Sequence, residues 1–389
     1  MKLRKIVFWM HLTAGLIVGS VVLVMSVTGV LLSFERQLTE LAERDQRVNP
    51  PVPGAPQLSV DGLIAGLRAA EPEAMPSGLT RRSDPAAPAA ISLGRERTVF
   101  LNPYTGAILG EGSKQAREFF RSVTNIHRWL GTPDKSRAVG RAVTGACNLA
   151  FLFLVISGFF LWWPRRGTKN AGRAIFVPKT KPRGKLRYFS WHNAIGFWCA
   201  PILFLIVLSG VLMSYPWATN LLFRLAGSEP PPPQRAVTAP RPGPPKESSF
   251  IPRDIDRLWT MAEQRVPGWK TVSVRFETSP SAPLTFSIEQ GQRGRPDLRS
   301  QLTLDPKTGE LVRWEPFSSF SLGRQLRSWA RFVHTGEADG VFGQTIAALA
   351  SAGAVLLVCT GFTLAWRRFR ERKGRGQTVL VSESAEASG

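Results

Sequence analysis

The chain contains four histidines, His11, His127, His192 and His334, and each lies in or just before a long apolar run. An ionisable side chain at membrane depth is costly and marks a functional candidate. A neutral imidazole is also a ready iron ligand, and haem iron is held by axial side chains while the pocket sets its potential. Two axial ligands per haem divide four histidines into two pairs with none left over. Zinc is a weaker reading, because no Cys, Asp or Glu accompanies the histidines at ligand spacing. The plain alternative makes each histidine an interfacial anchor or a helix–helix hydrogen-bonding group. Their recurrence at equivalent places in the chain favours ligation.

The elements that must position these rings are four apolar runs, near residues 8–34, 138–163, 191–215 and 341–366. Each is about 20 residues or longer, the length a helix needs to cross the hydrocarbon. The first is too long for a signal peptide and lacks a small-residue cleavage site. The formal charge of +22 and the pI near 11.1 first point to a polyanion-binding surface. No nucleic-acid motif accompanies that charge, so no nucleic-acid partner is expected. The basic residues cluster beside the apolar runs instead. Lys2, Arg4 and Lys5 precede the first. Arg165, Arg166, Lys169, Arg173, Lys179, Lys181, Arg183, Lys185 and Arg187 join the second to the third, with no acidic residue among them. Arg367, Arg368, Arg370, Arg372 and Lys373 follow the fourth. The positive-inside rule makes all three clusters cytoplasmic, and with them both termini. Trp162, Trp163, Trp191, Trp217 and Trp366 sit near span ends, as interfacial aromatics do.

Orientation then sorts the histidines. Spans one and three run outward and start at His11 and His192; spans two and four run inward, with His127 and His334 at their outer ends. The expected pairs are therefore His11 with His192 and His127 with His334, at two depths of one four-helix bundle, a common place for a cofactor. Two axial ligands leave iron no open position, which suits electron transfer. Arg4, Arg128, Arg187 and Arg331 are candidate partners for haem propionates. Cys147, Cys199 and Cys359 fall within spans and read as small buried apolar residues. No CxxC or CxxCH motif occurs, so the haems are expected to bind without covalent attachment, as b-type groups. The span glycines Gly15, Gly19 and Gly29 read as packing residues. No catalytic side chain is assigned.

Two segments outside the spans carry α+β patterns. In the first, Ser59 caps a helix over residues 60–70 whose apolar face is Val60, Leu63, Ile64 and Leu67. Strands are predicted at 90–93, 98–101 and 107–109, with Asn102-Pro103-Tyr104-Thr105-Gly106 as a turn needing positive φ at the glycine. A helix over 115–130 leads back to the bilayer, with Phe119, Phe120, Val123, Ile126, His127 and Leu130 on one face. After a Pro-rich linker over 229–245, the second segment repeats the pattern. A helix over 254–264 precedes strands at 271–276, 284–288, 301–304 and 310–314. The turn Asp305-Pro306-Lys307-Thr308-Gly309 recurs, and a pre-membrane helix carries Leu322, Leu326, Trp329, Val333 and His334. His11 and Gly15 match His192 and Gly196 at one offset, which also matches Thr28-Gly29-Val30 to Ser209-Gly210-Val211. Leu154-Val-Ile-Ser-Gly-Phe matches Leu357-Val-Cys-Thr-Gly-Phe. The chain thus reads as internally duplicated.

These features, with Asn125-Ile-His-Arg-Trp-Leu-Gly, Ser157-Gly-Phe-Phe-Leu-Trp-Trp-Pro and Trp191-His-Asn, resemble the PepSY-associated transmembrane proteins of bacterial iron uptake, the FoxB-like group. The resemblance covers almost the whole chain. It implies a membrane α+β fold: a four-helix transmembrane bundle with two periplasmic PepSY-like α+β domains. The expected parts are a first helix (1–35), a first periplasmic domain (36–113), a pre-membrane helix with span two (114–164) and a basic cytoplasmic loop (165–187). Span three (188–216), a second periplasmic domain with its Pro-rich linker (217–320), a pre-membrane helix with span four (321–368) and a cytoplasmic tail (369–389) follow. The resemblance further implies a bacterial inner-membrane protein that relays electrons through two haems to reduce ferric siderophores in the periplasm. Because no GxGxxG-type module is present, the electron donor is expected to be external, a quinol or a separate reductase. The competing readings are a non-redox PepSY binding or protease-inhibitory membrane protein, and a quinol-linked b-type cytochrome serving another acceptor.

Overall fold

The computed structural model describes residues 2–94, 97–163, 184–232, 250–291 and 294–386, the last fifteen of these by backbone alone. The basic residues Arg165 to Arg183 and much of the Pro-rich linker lie outside the described residues. The chain divides into a helical unit, comprising Met1–Phe34, Arg121–Ala218 and Val333–Gly389, and a sheet unit, comprising Glu35–Phe120 and Thr219–Phe332.

Four helices of the helical unit are long and apolar enough to cross a membrane. They are α1 (Lys2–Leu32), α5 (Arg137–Trp162), α6 (Lys185–Ser214) and α10 (Gly340–Glu386). The helices α4 (Lys114–Trp129) and α9 (Leu322–Thr335) precede α5 and α10. Large apolar side chains such as Ile17, Val27, Leu149, Ile156, Trp198, Leu205 and Leu349 are exposed along the four spans, as a lipid-facing surface requires. Inward positions are small or branched: Val18, Val22, Leu203, Val207, Ala350 and Ala354 are buried. Gly19 lies against the Phe362 ring, and Gly353 against Cys199. Cys147 is buried and Cys199 half-buried, but Cys359 is exposed, so the reading of three buried thiols holds only in part.

Basic side chains gather at one end of this unit. Arg4 donates to the carbonyls of Leu161 and Trp163, neutralising the end of α5 where carbonyls lack helical partners. Arg368 stands 4.9 Å from the Phe8 ring centre, and Arg367 5.3 Å from that of Tyr188. Lys185 pairs with Glu371 at 2.5 Å.

The sheet unit holds one antiparallel sheet of eight strands in the order β4-β3-β2-β1-β5-β6-β7-β8. Strands β1 (Pro76–Arg82), β2 (Ala89–Leu93), β3 (Arg97–Leu101) and β4 (Ile108–Gly110) come from the first segment. Strands β5 (Thr271–Arg275), β6 (Leu284–Glu289), β7 (Arg299–Leu304) and β8 (Leu311–Pro316) come from the second. The two sets join through β1 and β5, with Leu79 opposite Val274 and Thr80 opposite Ser273. A side chain at Gly78 would come within 2.8 Å of the Val274 carbonyl, so glycine there permits the seam. Helices α3 (Val60–Ala70) and α8 (Ile255–Arg265) supply Leu63, Leu67, Leu258 and Trp259 to a core shared with Ile91, Val99, Phe286 and Leu302. The short helices α2 (Glu35–Ala42) and α7 (Pro216–Leu225) complete the described helices.

The turn chemistry is as expected. The Ser59 hydroxyl accepts from the Gly62 N–H at 3.1 Å. Asn102 Oδ1 accepts from Tyr104 N–H at 2.9 Å, and Asp305 Oδ1 accepts from the N–H groups of Lys307 and Thr308 at 2.8 and 2.9 Å. Gly106 and Gly309 adopt φ of 72° and 73°. The apolar face of α4 differs in part from expectation, and α9 packs by a different set of residues. Phe120 and Val123 are buried but Phe119 is exposed, and α9 buries Gly323, Ala330 and Phe332 while Leu322 and Leu326 remain exposed. On α9 the packed side is marked by Gly323, Ala330 and Phe332 rather than by the leucines.

Candidate functional site

All four histidines belong to the helical unit, and all are half-buried. His11 lies about two and a half turns into α1, deeper than the start of the apolar run implied, because the helix begins at Lys2. His192 lies about two turns into α6. His127 and His334 lie in the last turns of α4 and α9.

Each ring meets a hydroxyl on another helix through Nδ1. His11 Nδ1 is 2.8 Å from Ser157 Oγ, and His192 Nδ1 is 2.9 Å from Thr360 Oγ1. His127 Nδ1 is 2.9 Å from Thr28 Oγ1, and His334 Nδ1 is 3.2 Å from Ser209 Oγ. A hydroxyl has one proton to donate, and each of these gives it to a carbonyl of its own helix. Ser157 donates to Phe153 at 2.6 Å, Thr28 to Val24 at 2.7 Å, Thr360 to Leu356 at 2.7 Å and Ser209 to Ile206 at 2.8 Å. The hydroxyl oxygens are therefore left to accept, and the rings to donate from Nδ1–H. His334 adds a second acceptor, the Ile206 carbonyl at 2.8 Å, and His127 and His192 likewise meet the carbonyls of Met25 and Leu357. In a neutral imidazole so held, Nε2 carries the free lone pair.

The rings meet in the expected couples. The centroids of His127 and His334 are 6.3 Å apart, with their planes at 67°. A metal–imidazole nitrogen bond is about 2 Å, so two rings sharing one ion hold their nitrogens about 4 Å apart and their centroids about 6 Å apart. The observed spacing suits a shared metal and excludes direct ring stacking. His11 and His192 lie close enough that charge on one is felt at the other. Among the described residues no group of three or more His, Cys, Asp or Glu stands together.

Along α1, His11 and the Thr28 partner of His127 are separated by a rise of about 25 Å, and His192 and Ser209 along α6 by the same rise. The hydrocarbon is about 30 Å thick, so the two levels fall near its opposite faces. The His11 and His192 level is the one nearer the basic end.

The hydroxyls entered the sequence reading only as repeat markers. Their signal is visible afterwards: each is followed by glycine, at Gly29, Gly158, Gly210 and Gly361. A Cβ at Gly158, Gly361 or Gly29 would stand 3.3, 3.5 or 3.6 Å from Cε1 of His11, His192 or His127. At Gly210 the neighbour is instead Asn148, whose Nδ2 would be 2.9 Å away and which donates to the Val207 carbonyl at 3.1 Å. The arginines named for propionates have partners on hand: Arg4 the end of α5, and Arg128, Arg187 and Arg331 the rings of Trp129, Tyr188 and Phe332.

No curated protein matches the chain. A family model described as "PepSY-associated TM region" matches residues 8–368, a stretch that takes in all four histidines and all four long helices. The chain is a multi-pass membrane protein, and it belongs to the PepSY-associated transmembrane family.

Proposed function

We propose that the chain is a two-haem membrane reductase that carries electrons across a bacterial inner membrane and reduces the iron of ferric siderophores on the periplasmic side. The observation that carries this reading is the state of the four imidazoles. Each is tied at Nδ1 and left with a free Nε2, and His127 and His334 are spaced as two ligands of one ion. His127 and His334 would hold one b-type haem, and His11 and His192 the other. When bound, each haem supplies a one-electron Fe(III)/Fe(II) couple.

The chain's own residues do the rest. The helices fix two ring pairs at depths about 25 Å apart, and the lipid-facing side chains keep water from the path between them. The basic end faces the cytoplasm on the positive-inside argument, which places both termini there and the sheet unit in the periplasm. An external donor, a quinol or a separate reductase, is oxidised near the His11 and His192 level. The ferric chelate, as substrate, receives one electron per iron beyond the His127 and His334 level.

Internal duplication belongs to the same proposal. The strand order β4-β3-β2-β1-β5-β6-β7-β8 reads alike from either edge, each half supplying four strands. Gly15 faces Leu154 as Gly196 faces Leu357, at 3.9 and 3.5 Å from a built Cβ. The test is an optical spectrum of the purified full-length chain with haem quantitation. Two low-spin b-type haems per chain support the reading; a colourless protein from haem-replete cells ends it.

A further inference from the structure

We propose that the four Ser/Thr-Gly pairs, Thr28-Gly29, Ser157-Gly158, Ser209-Gly210 and Thr360-Gly361, are positioning elements that fix each histidine in its Nδ1–H tautomer and tune its strength as a ligand. The inference rests on the haem-ligand reading for its redox consequence, but its tautomer consequence stands without any metal.

The hydroxyl proton decides the tautomer. A Ser or Thr inside a helix commonly donates to the carbonyl four residues back, and each of the four does so or reaches the carbonyl three back. This internal bond commits the proton and points an oxygen lone pair outward. Between apolar helices, a productive partner for that lone pair is a donor from a neighbouring helix. Each hydroxyl finds one in an imidazole Nδ1–H, 2.8 to 3.2 Å away. Had the hydroxyls been free to donate, either tautomer would serve; the carbonyls remove that choice. The following glycine acts sterically. At three of the four sites a Cβ would lie 3.3 to 3.6 Å from the ring's Cε1, between Nδ1 and Nε2. A larger side chain there would push the ring out of the position its Nδ1 bond fixes.

The exchange is also reciprocal. Helix α1 gives His11 to Ser157 on α5 and accepts His127 at Thr28; helix α6 gives His192 to Thr360 on α10 and accepts His334 at Ser209. Groups that hold the second ring nitrogen raise ligand basicity, and their loss typically costs about 10- to 100-fold in metal affinity. A more basic imidazole favours the ferric state, so removing the acceptor raises the midpoint potential of that haem. When its hydroxyl is truncated, His334 keeps the Ile206 carbonyl, His127 that of Met25 and His192 that of Leu357, so His11 is the most sensitive of the four.

Two measurements on the full-length protein test this. In ¹⁵N-histidine-labelled protein in lipid, without haem, all four rings are expected as neutral Nδ1–H tautomers at neutral pH. A predominance of Nε2–H rings overturns the proposal whatever the variants do. In haem-loaded protein, Ser157→Ala and Thr360→Val are expected to raise one of two midpoint potentials, or to lose up to one haem per chain, with Thr360→Ser restoring wild-type values. A two-haem wild type whose variants keep both potentials and both haems refutes the tuning while leaving the ligand reading intact. A wild type that binds no haem refutes the ligand reading and the redox part with it, while the tautomer result still stands by itself.

Discussion

The two histidine couples are built from the same parts in opposite arrangement. At the basic end, His11 and His192 sit on the membrane helices α1 and α6 and are held by hydroxyls of α5 and α10. At the other end, His127 and His334 sit on the helices that precede α5 and α10, and are held by hydroxyls of α1 and α6. Within the first couple the rings differ, since His192 also meets the Leu357 carbonyl, whereas His11 has Ser157 and Gly158. In the second couple both rings meet a carbonyl, Met25 for His127 and Ile206 for His334, but only His127 has a close glycine. Two sites that would hold the same group thus differ in how firmly each imidazole is bound from behind. With a haem in each couple, that difference would give the two sites distinct redox potentials.

The largest expected effect comes from the ligands themselves. His127→Ala or His334→Ala is expected to remove one of two haems per chain, and His11→Ala or His192→Ala the other, as seen in haem-to-protein ratio. Loss of both haems from a single substitution in a folded protein would erase the distinction between the couples.

The glycines sharpen it next. Gly158→Val places atoms into the His11 ring and is expected to weaken haem retention roughly 10-fold or more at that couple alone. Gly29→Ala adds a Cβ at ordinary contact distance from His127, 3.6 Å, and is expected to leave both haems. Equal losses in the two variants would mean that the glycines serve helix packing rather than the rings.

A third substitution separates the sheet from the bundle. Gly78→Ala sets a Cβ against the Val274 carbonyl at the β1–β5 seam, an overpacking that costs about 1–3 kcal/mol. The melting temperature of the sheet unit should fall while the haem spectrum is unchanged. A changed spectrum would tie the seam to the cofactor sites.

The smallest effect compares the two turns. Asn102 and Asp305 make the same side-chain bonds, but only Asp305 titrates. Backbone N–H donors, Thr308 first, hold its carboxyl below the ordinary value of 3.8. A depressed carboxyl adds stability that is present above the ordinary value and is lost as pH falls through the folded-state value. Asp305→Asn should therefore flatten the acid side of the sheet unit's stability curve. An unchanged curve would show that the exposed turn contributes nothing.

Much of this was legible in the chain. Apolar runs located the four spans, and basic residues beside them suggested a common end. The four histidines sorted into couples without knowledge of packing, since spans that alternate in direction leave few choices. Strong alternation and turn residues located β2 to β8. The seam strand β1 was missed because Pro76, Gly78, Arg81 and Arg82 break the apolar alternation that marks a strand. Its partner β5 lies far along the chain, and only tertiary pairing reveals why glycine belongs there. The Ser/Thr-Gly pairs were noticed only as repeats, because a hydroxyl in an apolar helix looks local until a ring from another helix is set beside it.

The central claim is that the two couples each hold one haem through both imidazoles. Its most direct measurement is a reduced-minus-oxidised spectrum with haem quantitation on the full-length protein and on the His127→Ala variant. The account predicts low-spin b-type spectra with two haems per chain in the wild type and one in the variant. A wild type without haem, or a variant that keeps two low-spin haems, would contradict it.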